Sequence, residues 1–196
     1  MNNILVSIRP KWCEKIFHEI GKDENSKPIY EKRIEVRKTA PKELPFKAFI
    51  YQTKSRDNTI YKQYKVDDMR SGKVIGEFVC DKVYEWECKN RLELVGELGL
   101  PNWRASYMIF TNDLEKTCLT YDDLWNYGQG KALYGWHISD LKIYDKPREL
   151  SDYYSLCKKR NCYLCDWERE YDSCGCNYKK PIERPPQSWC YVEEEK

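Results

Sequence analysis

Apolar and polar positions along this chain follow two periods that change every ten to fifteen residues. Asn3–Ile8 is a short apolar run, the signature of a buried strand. Pro10 follows at a position where its missing N–H costs nothing to a starting helix. Trp12, Ile16, Phe17 and Ile20 then recur at helical spacing, so residues 10–20 read as an amphipathic helix packed on the first strand. Gly21–Ile29 is polar, contains a proline and reads as a loop. From Tyr30 to Lys38 the period is two. Ile34 and Val36 point one way and Arg33, Glu35 and Arg37 the other, giving a strand with one apolar and one charged face. Strict alternation puts Lys32 opposite Glu35 and Arg37, unless the strand starts after it.

Phe46–Tyr51 is a further strand. Residues 52–73 form a loop with six basic residues against three acidic ones, interleaved with Tyr61 and Tyr64. Basic charge mixed with aromatics suits nucleic acid, although a solvated loop with anchoring tyrosines shows the same pattern. Lys73–Tyr84 reads as one long strand. Residues 85–118 carry no consistent period and are treated as an insertion. Thr120 is placed to cap a short helix, Tyr121–Asn126, with Asp122 and Asp123 in its first turn and Gly128 just past its end. Leu133–Tyr144 is a strand broken at Ser139-Asp140, a short helix follows near Ser151–Leu156, and Ser188–Val192 is a last strand. Short strands, helices early and late and no βαβ rhythm predict a single α+β domain over residues 1–196, built on a small mixed barrel.

Composition narrows the function. Charged residues make up 34% and apolar ones 41%, which excludes a disordered chain. Thirty-four Lys and Arg against 32 Asp and Glu leave a net charge of +2, so any nucleic-acid role must rest on a local patch. No apolar run approaches the roughly 18–20 residues of a membrane span, and the N-terminus lacks the basic flank of a signal peptide. These features predict a cytoplasmic protein with no membrane partner. Sixteen Tyr and seven Trp exceed what a core of this size absorbs and leave several for a surface or pocket.

Three stretches, ILVSIRPKWCEK (residues 4–15), YEKRIEVR (30–37) and GKVIGEFVCD (72–81), together resemble the ASCH domains of the PUA-like superfamily. In that family a strand and a helix precede a Gly-x-Lys-x-x-Glu-x-Arg segment and then barrel strands. Lys32, Glu35 and Arg37 hold the Lys, Glu and Arg positions, and the motif's Gly is not in place. The endings GWHISDLKIYDKPREL and RPPQSWCYVE resemble a phage- or prophage-type branch. The resemblance implies a PUA-like β-barrel with a helix across one mouth. It also implies a cleft that takes RNA, a base or a nucleoside in relatives, some of which only bind while others hydrolyse acylated cytidine or cut RNA. The hydrolases of this superfamily need a Lys, a Thr and a Glu. Lys32 and Glu77 match, but Glu35 stands at the Thr position, so the attacking hydroxyl is absent.

The candidate ligand-binding residues are Arg9, Lys32, Glu35, Arg37, Glu77, Trp136, Gln187, Ser188 and Trp189. Arg37 offers a planar fork of donors to a phosphate or base edge, and Glu35 an acceptor for an exocyclic amine. An ion pair on an exposed barrel face would look the same by periodicity. Trp12, Trp136 and Trp189 could stack a base, although core packing is the commoner role for each. Gln187 and Ser188 could read a base edge. His18 and His137, the only histidines, match no catalytic order.

Five of the ten cysteines crowd into Cys157-x4-Cys162-x2-Cys165-x8-Cys174-x-Cys176. In a reducing compartment such clustering points to a metal before disulfides. Cys162, Cys165, Cys174 and Cys176 fit one tetrahedral zinc in a Cys-rich insertion over residues 157–180. Cys13, Cys80, Cys88 and Cys118 read as buried small hydrophobes. The leading function is a nucleic-acid-binding module of ASCH type for RNA or another single strand, including one that carries a modified base. A nucleoside amidohydrolase or ribonuclease on the same cleft, and a protein-interaction adaptor using the Cys-rich segment, are the alternatives.

Overall fold

The structure, a computed structural model, describes residues 2–54, 68–89, 106–107, 109, 111–155 and 180–194. In chain order these form β1 (Asn2–Ile8), α1 (Pro10–Phe17), β2 (Glu19–Lys22), β3 (Pro28–Tyr30), β4 (Ile34–Arg37), β5 (Phe46–Gln52) and β6 (Val74–Cys80). There follow β7 (Val83–Trp86), β8 (Cys88–Lys89), β9 (Ser106–Tyr107), α2 (Thr111–Thr117), α3 (Tyr121–Gly128), β10 (Leu133–His137), β11 (Ser139–Arg148), β12 (Tyr153–Ser155) and β13 (Trp189–Glu194). The fold is mixed α+β, as the sequence predicts. Among the described residues no strand pairing closes a sheet on itself, and the four sheets are open. The chain divides into two units, Met1–Glu14 with Phe46–Phe78 and Asp140–Lys196, and Lys15–Pro45 with Val79–Ser139.

The first unit is built on a six-stranded sheet in the order β11-β6-β5-β1-β13-β12. β1 lies inside it, parallel to β5 from Asn2↔Phe46 to Ile8↔Gln52 and antiparallel to β13. A strand covered on both faces reads as a continuous apolar run, and Ile4, Leu5, Val6 and Ile8 are at most 1% exposed. One face packs Leu5, Phe49, Tyr51, Val74, Tyr144, Tyr153 and Val192 into a core, with the Phe49 and Tyr153 rings 4.8 Å apart. Burying each such side chain contributes about 1.5–3 kcal/mol.

The second unit holds a three-stranded antiparallel sheet in the order β4-β10-β7. Ile34, Val36, Trp86 and Leu133 form its apolar face and pack with Leu124 of α3. Thr120 caps α3 through a capping box: Asp123 N–H donates to its hydroxyl while the Asp123 carboxylate accepts from the Thr120 N–H. Gln129, not Gly128, takes the left-handed position at the other end, with φ 51°. Gly135 in β10 is required by close approach. A Cβ there would lie 2.4 Å from Trp86 Cη2 and 2.9 Å from Ile34 Cγ2. Because the Trp86 ring is buried and cannot swing out, Gly135→Ala is expected to destabilise by about 1–3 kcal/mol through overpacking. Chemical denaturation measures this, and an unchanged midpoint would mean the ring repacks freely.

Some sequence expectations are corrected here. α1 ends at Phe17, and Glu19–Lys22 turns into a hairpin with Pro28–Tyr30, so Ile20 is 53% exposed instead of facing a core. The stretch 73–84 is two strands, because the chain leaves the ladder at Asp81 and Lys82, whose carbonyl accepts from His137 N–H. The segment near Ser151 is a 3-10 turn, Leu150–Asp152, leading into β12. Cys13 and Cys80 are fully buried, whereas Cys88 and Cys118 are only partly so. Among the described residues no helix is long and apolar enough to cross a membrane.

Candidate functional site

Four of the predicted site residues, Lys32, Glu35, Arg37 and Trp136, fall in the second unit, and all four are buried. The charged face of β4 is therefore not the exposed ion-pair surface that alternation also allows. All four residues of β4 are covered, and Glu35 and Arg37 are 6% and 7% exposed. Arg37 Nη2 donates to Glu35 Oε1 at 2.9 Å, and Lys32 Nζ lies 3.4 Å from Glu35 Oε2. The strand begins at Ile34, so Lys32 sits before it, is freed from the alternation and swings onto Glu35.

Lys32 is the most deeply placed charge of the three, at 1% exposure. Its ammonium donates to the Thr117 carbonyl at 2.6 Å. Arg33 N–H donates to the Lys116 carbonyl at 2.8 Å. Together these satisfy carbonyls left open at the C-terminal end of α2, where positive charge is favoured. Burial pushes the Lys32 amine below the usual lysine range, and Glu35 opposes that shift. Taking ions out of water costs several kcal/mol each, so a buried group of two cations and one anion is tolerated only with its partners in place. The cluster lies in a low-dielectric setting, where electrostatic interactions among its members are strengthened.

Beside the cluster lie Lys15, His18 and Glu31. Glu31 accepts from Lys15 and is 2.9 Å from His18 Nδ1. The Lys15 hydrogen bond holds the Glu31 carboxyl below the usual range. Cys118 Sγ lies 3.9 Å from Glu31 Oε1, and burial pushes its thiol up, away from nucleophilic thiolate character. The Thr117 hydroxyl donates to the Leu114 carbonyl and accepts from Leu119 N–H, so it is committed to closing α2. His18 is exposed, and His137 pairs with Asp81 at 2.6 Å.

Residues directly opposite in an antiparallel ladder share a face. By register, Tyr134 stands between Arg37 and Glu85, and Trp136 between Glu35 and Val83. Glu35, Arg37, Tyr134, Trp136, Val83 and Glu85 therefore occupy one face, opposite the apolar core face. Trp136 is fully buried there. Where β4 ends, a groove of about 400 Å³ adjoins this face, lined by Lys38, Thr39, Ala40, Pro41, Val83, Glu85 and Tyr134. Sequence reasoning missed these groove residues and the Thr117 carbonyl. Val83 and Glu85 lie some fifty residues from Tyr134, and only the strand register joins them.

The other predicted residues belong to the first unit. Arg9 is exposed, and its carbonyl accepts the first N–H bonds of α1. Glu77 lies 3.3 Å from Lys47 and accepts from the Tyr144 hydroxyl. Gln187 is exposed, the Ser188 carbonyl accepts from Ser7 N–H at 2.9 Å, and Trp189 meets Tyr191 edge to face. The four cysteines assigned to zinc lie outside the described residues.

No protein-family model and no curated protein matches the chain. Among solved structures it is similar to ASCH from Zymomonas mobilis, at 14% identity over 98% of this chain and 88% of that one, with a TM-score of 0.48. It is also similar to two mutant forms of that protein, each at 13% identity over 98% of this chain, with TM-scores of 0.47 and 0.48.

Proposed function

We propose that this chain is a binding module of ASCH type, taking RNA, another single-stranded nucleic acid or a nucleoside on the β4-β10-β7 sheet. The observation that carries the reading is the buried Lys32–Glu35–Arg37 cluster, which joins the three motif positions and sits on the face adjoining the groove. Arg37 supplies a donor fork for a phosphate or base edge, and Glu35 holds that fork in one orientation. The net charge of only +2 argues for modest affinity, because tight sequence-blind binding needs many phosphate contacts. The barrel, the helix over its mouth and the phage- or prophage-type branch belong to the same proposal and rest on the sequence resemblance. Hydrolysis of acylated cytidine does not belong to it. Glu35 stands where a hydroxyl nucleophile is required, and the nearby Thr117 hydroxyl is engaged.

Titration of the protein with short single-stranded RNA and with nucleosides, over a range of salt, tests the reading. Weak binding that loosens as salt rises is expected. If neither RNA nor a nucleoside binds even at low salt, the reading gives way to a protein-interaction adaptor.

The zinc proposal is separate and rests on spacing. Cys162, Cys165, Cys174 and Cys176 would hold one ion, and the metal would supply folding energy to a segment poor in apolar residues. Elemental analysis is expected to give about one zinc per chain. Metal-free folded protein with all four thiols titratable would end the idea.

A further inference from the structure

The groove at the end of β4 has walls of two kinds. Tyr134, Val83, Ala40 and Pro41 give it aromatic and aliphatic surface, while Glu85 and Lys38 add one charge of each sign to its lining, the Lys38 ammonium lying 5.0 Å from the centre of the Tyr127 ring. Tyr134 OH donates to Glu85 Oε1 at 3.1 Å, which holds both side chains at the groove wall. A carboxylate has about four acceptor positions, and the hydroxyl uses one of them. The same hydrogen bond raises the Tyr134 phenol, so the ring stays neutral. Lys38 follows Arg37 directly in the chain and is exposed.

We infer that this groove is a subsite for a nucleobase bearing an exocyclic amine, cytosine or adenine. The base would stack on Tyr134, its amine would donate to Glu85, and its phosphate would lie toward Lys38. The inference rests on the nucleic-acid reading above and deepens it. An amine donor suits Glu85, whereas uracil would present a carbonyl oxygen to the same carboxylate. A planar ring suits a tyrosine face beside Val83, because every base has a face to stack. The Lys38 cation in the lining favours an anionic ligand over a free ammonium ion, which the acid and the aromatic ring alone would also accept. The volume of about 400 Å³ is within the range of small-molecule sites.

The test compares the RNA trinucleotides CCC and UUU on wild type, Glu85→Gln, Tyr134→Ala and Arg37→Lys. Wild type is expected to prefer CCC by about tenfold or more. Glu85→Gln should shrink that preference to within a few-fold, because an amide both donates and accepts. Tyr134→Ala should weaken both ligands together, by about tenfold. If Glu85→Gln keeps the preference and Tyr134→Ala keeps the affinity while Arg37→Lys lowers it, the subsite is wrong and the nucleic-acid reading survives. If wild type binds neither trinucleotide, both fall. Equal wild-type affinity for CCC and UUU also overturns the subsite, whatever Arg37→Lys does.

Discussion

Glu35→Ala is expected to destabilise the protein by about 3–5 kcal/mol, the cost of breaking a buried ion pair. The carboxylate stands 2.9 Å from Arg37 and 3.4 Å from Lys32, and each of the three residues is at most 7% exposed. Removing it leaves two buried cations without their shared counter-ion. Against a total stability of about 5–15 kcal/mol that is a large loss. For a chain of this length it corresponds to roughly 6–20 °C in melting temperature. Lys32→Met in the Glu35→Ala background should recover part of it, because one of the two buried cations is then gone. A single mutant that melts within about 1 kcal/mol of wild type would mean that the pair behaves as an exposed one.

Trp136→Ala is expected to cost a similar amount, about 3–5 kcal/mol, for a different reason. Trp136 is 0% exposed in the central strand of its sheet, so truncation leaves a large cavity that the neighbouring strands cannot close. Trp136→Phe should cost clearly less, since most of the ring volume is retained. Urea denaturation separates the two variants. A Trp136→Ala protein as stable as wild type, but weakened in RNA binding, would instead make the ring a stacking surface.

The parts of this fold legible in the sequence are those whose determinants are local. The apolar run of β1, the Thr120 cap and the period-two pattern of β4 each lie within a few residues; the first two form where their patterns say, and the third forms only over Ile34–Arg37 of the Tyr30–Lys38 stretch. What failed depends on distant partners. Helical spacing continues through Ile20, but Glu31 N–H donates to the His18 carbonyl and Lys32 N–H to that of Lys15, which draws residues 31 and 32 along the end of α1. The helix then gives way to a hairpin. Alternation showed that β4 has a charged face but carries no information on what covers it. Lys32 sat on the wrong side by counting, because the strand starts two residues later. Residues 85–118 carry no consistent period, yet they contain α2, whose Thr117 carbonyl receives the Lys32 ammonium. No pattern in the sequence connects positions 32 and 117. For the same reason the groove was invisible, because Tyr134 and Glu85 meet only through the pairing of β10 with β7.

Whether the buried cluster serves recognition as well as folding is tested by Arg37→Lys. The substitution keeps the charge beside Glu35 but replaces the planar fork with a point charge. Binding of short single-stranded RNA at low salt is measured on the same preparation as the melting curve. The expected result is a tenfold or larger loss of affinity, the worth of a charge-assisted contact of about 1.5–3 kcal/mol, in a protein that still melts cooperatively. Wild-type affinity in a variant whose melting temperature has fallen would show that Arg37 only holds the fold together and takes no part in recognition.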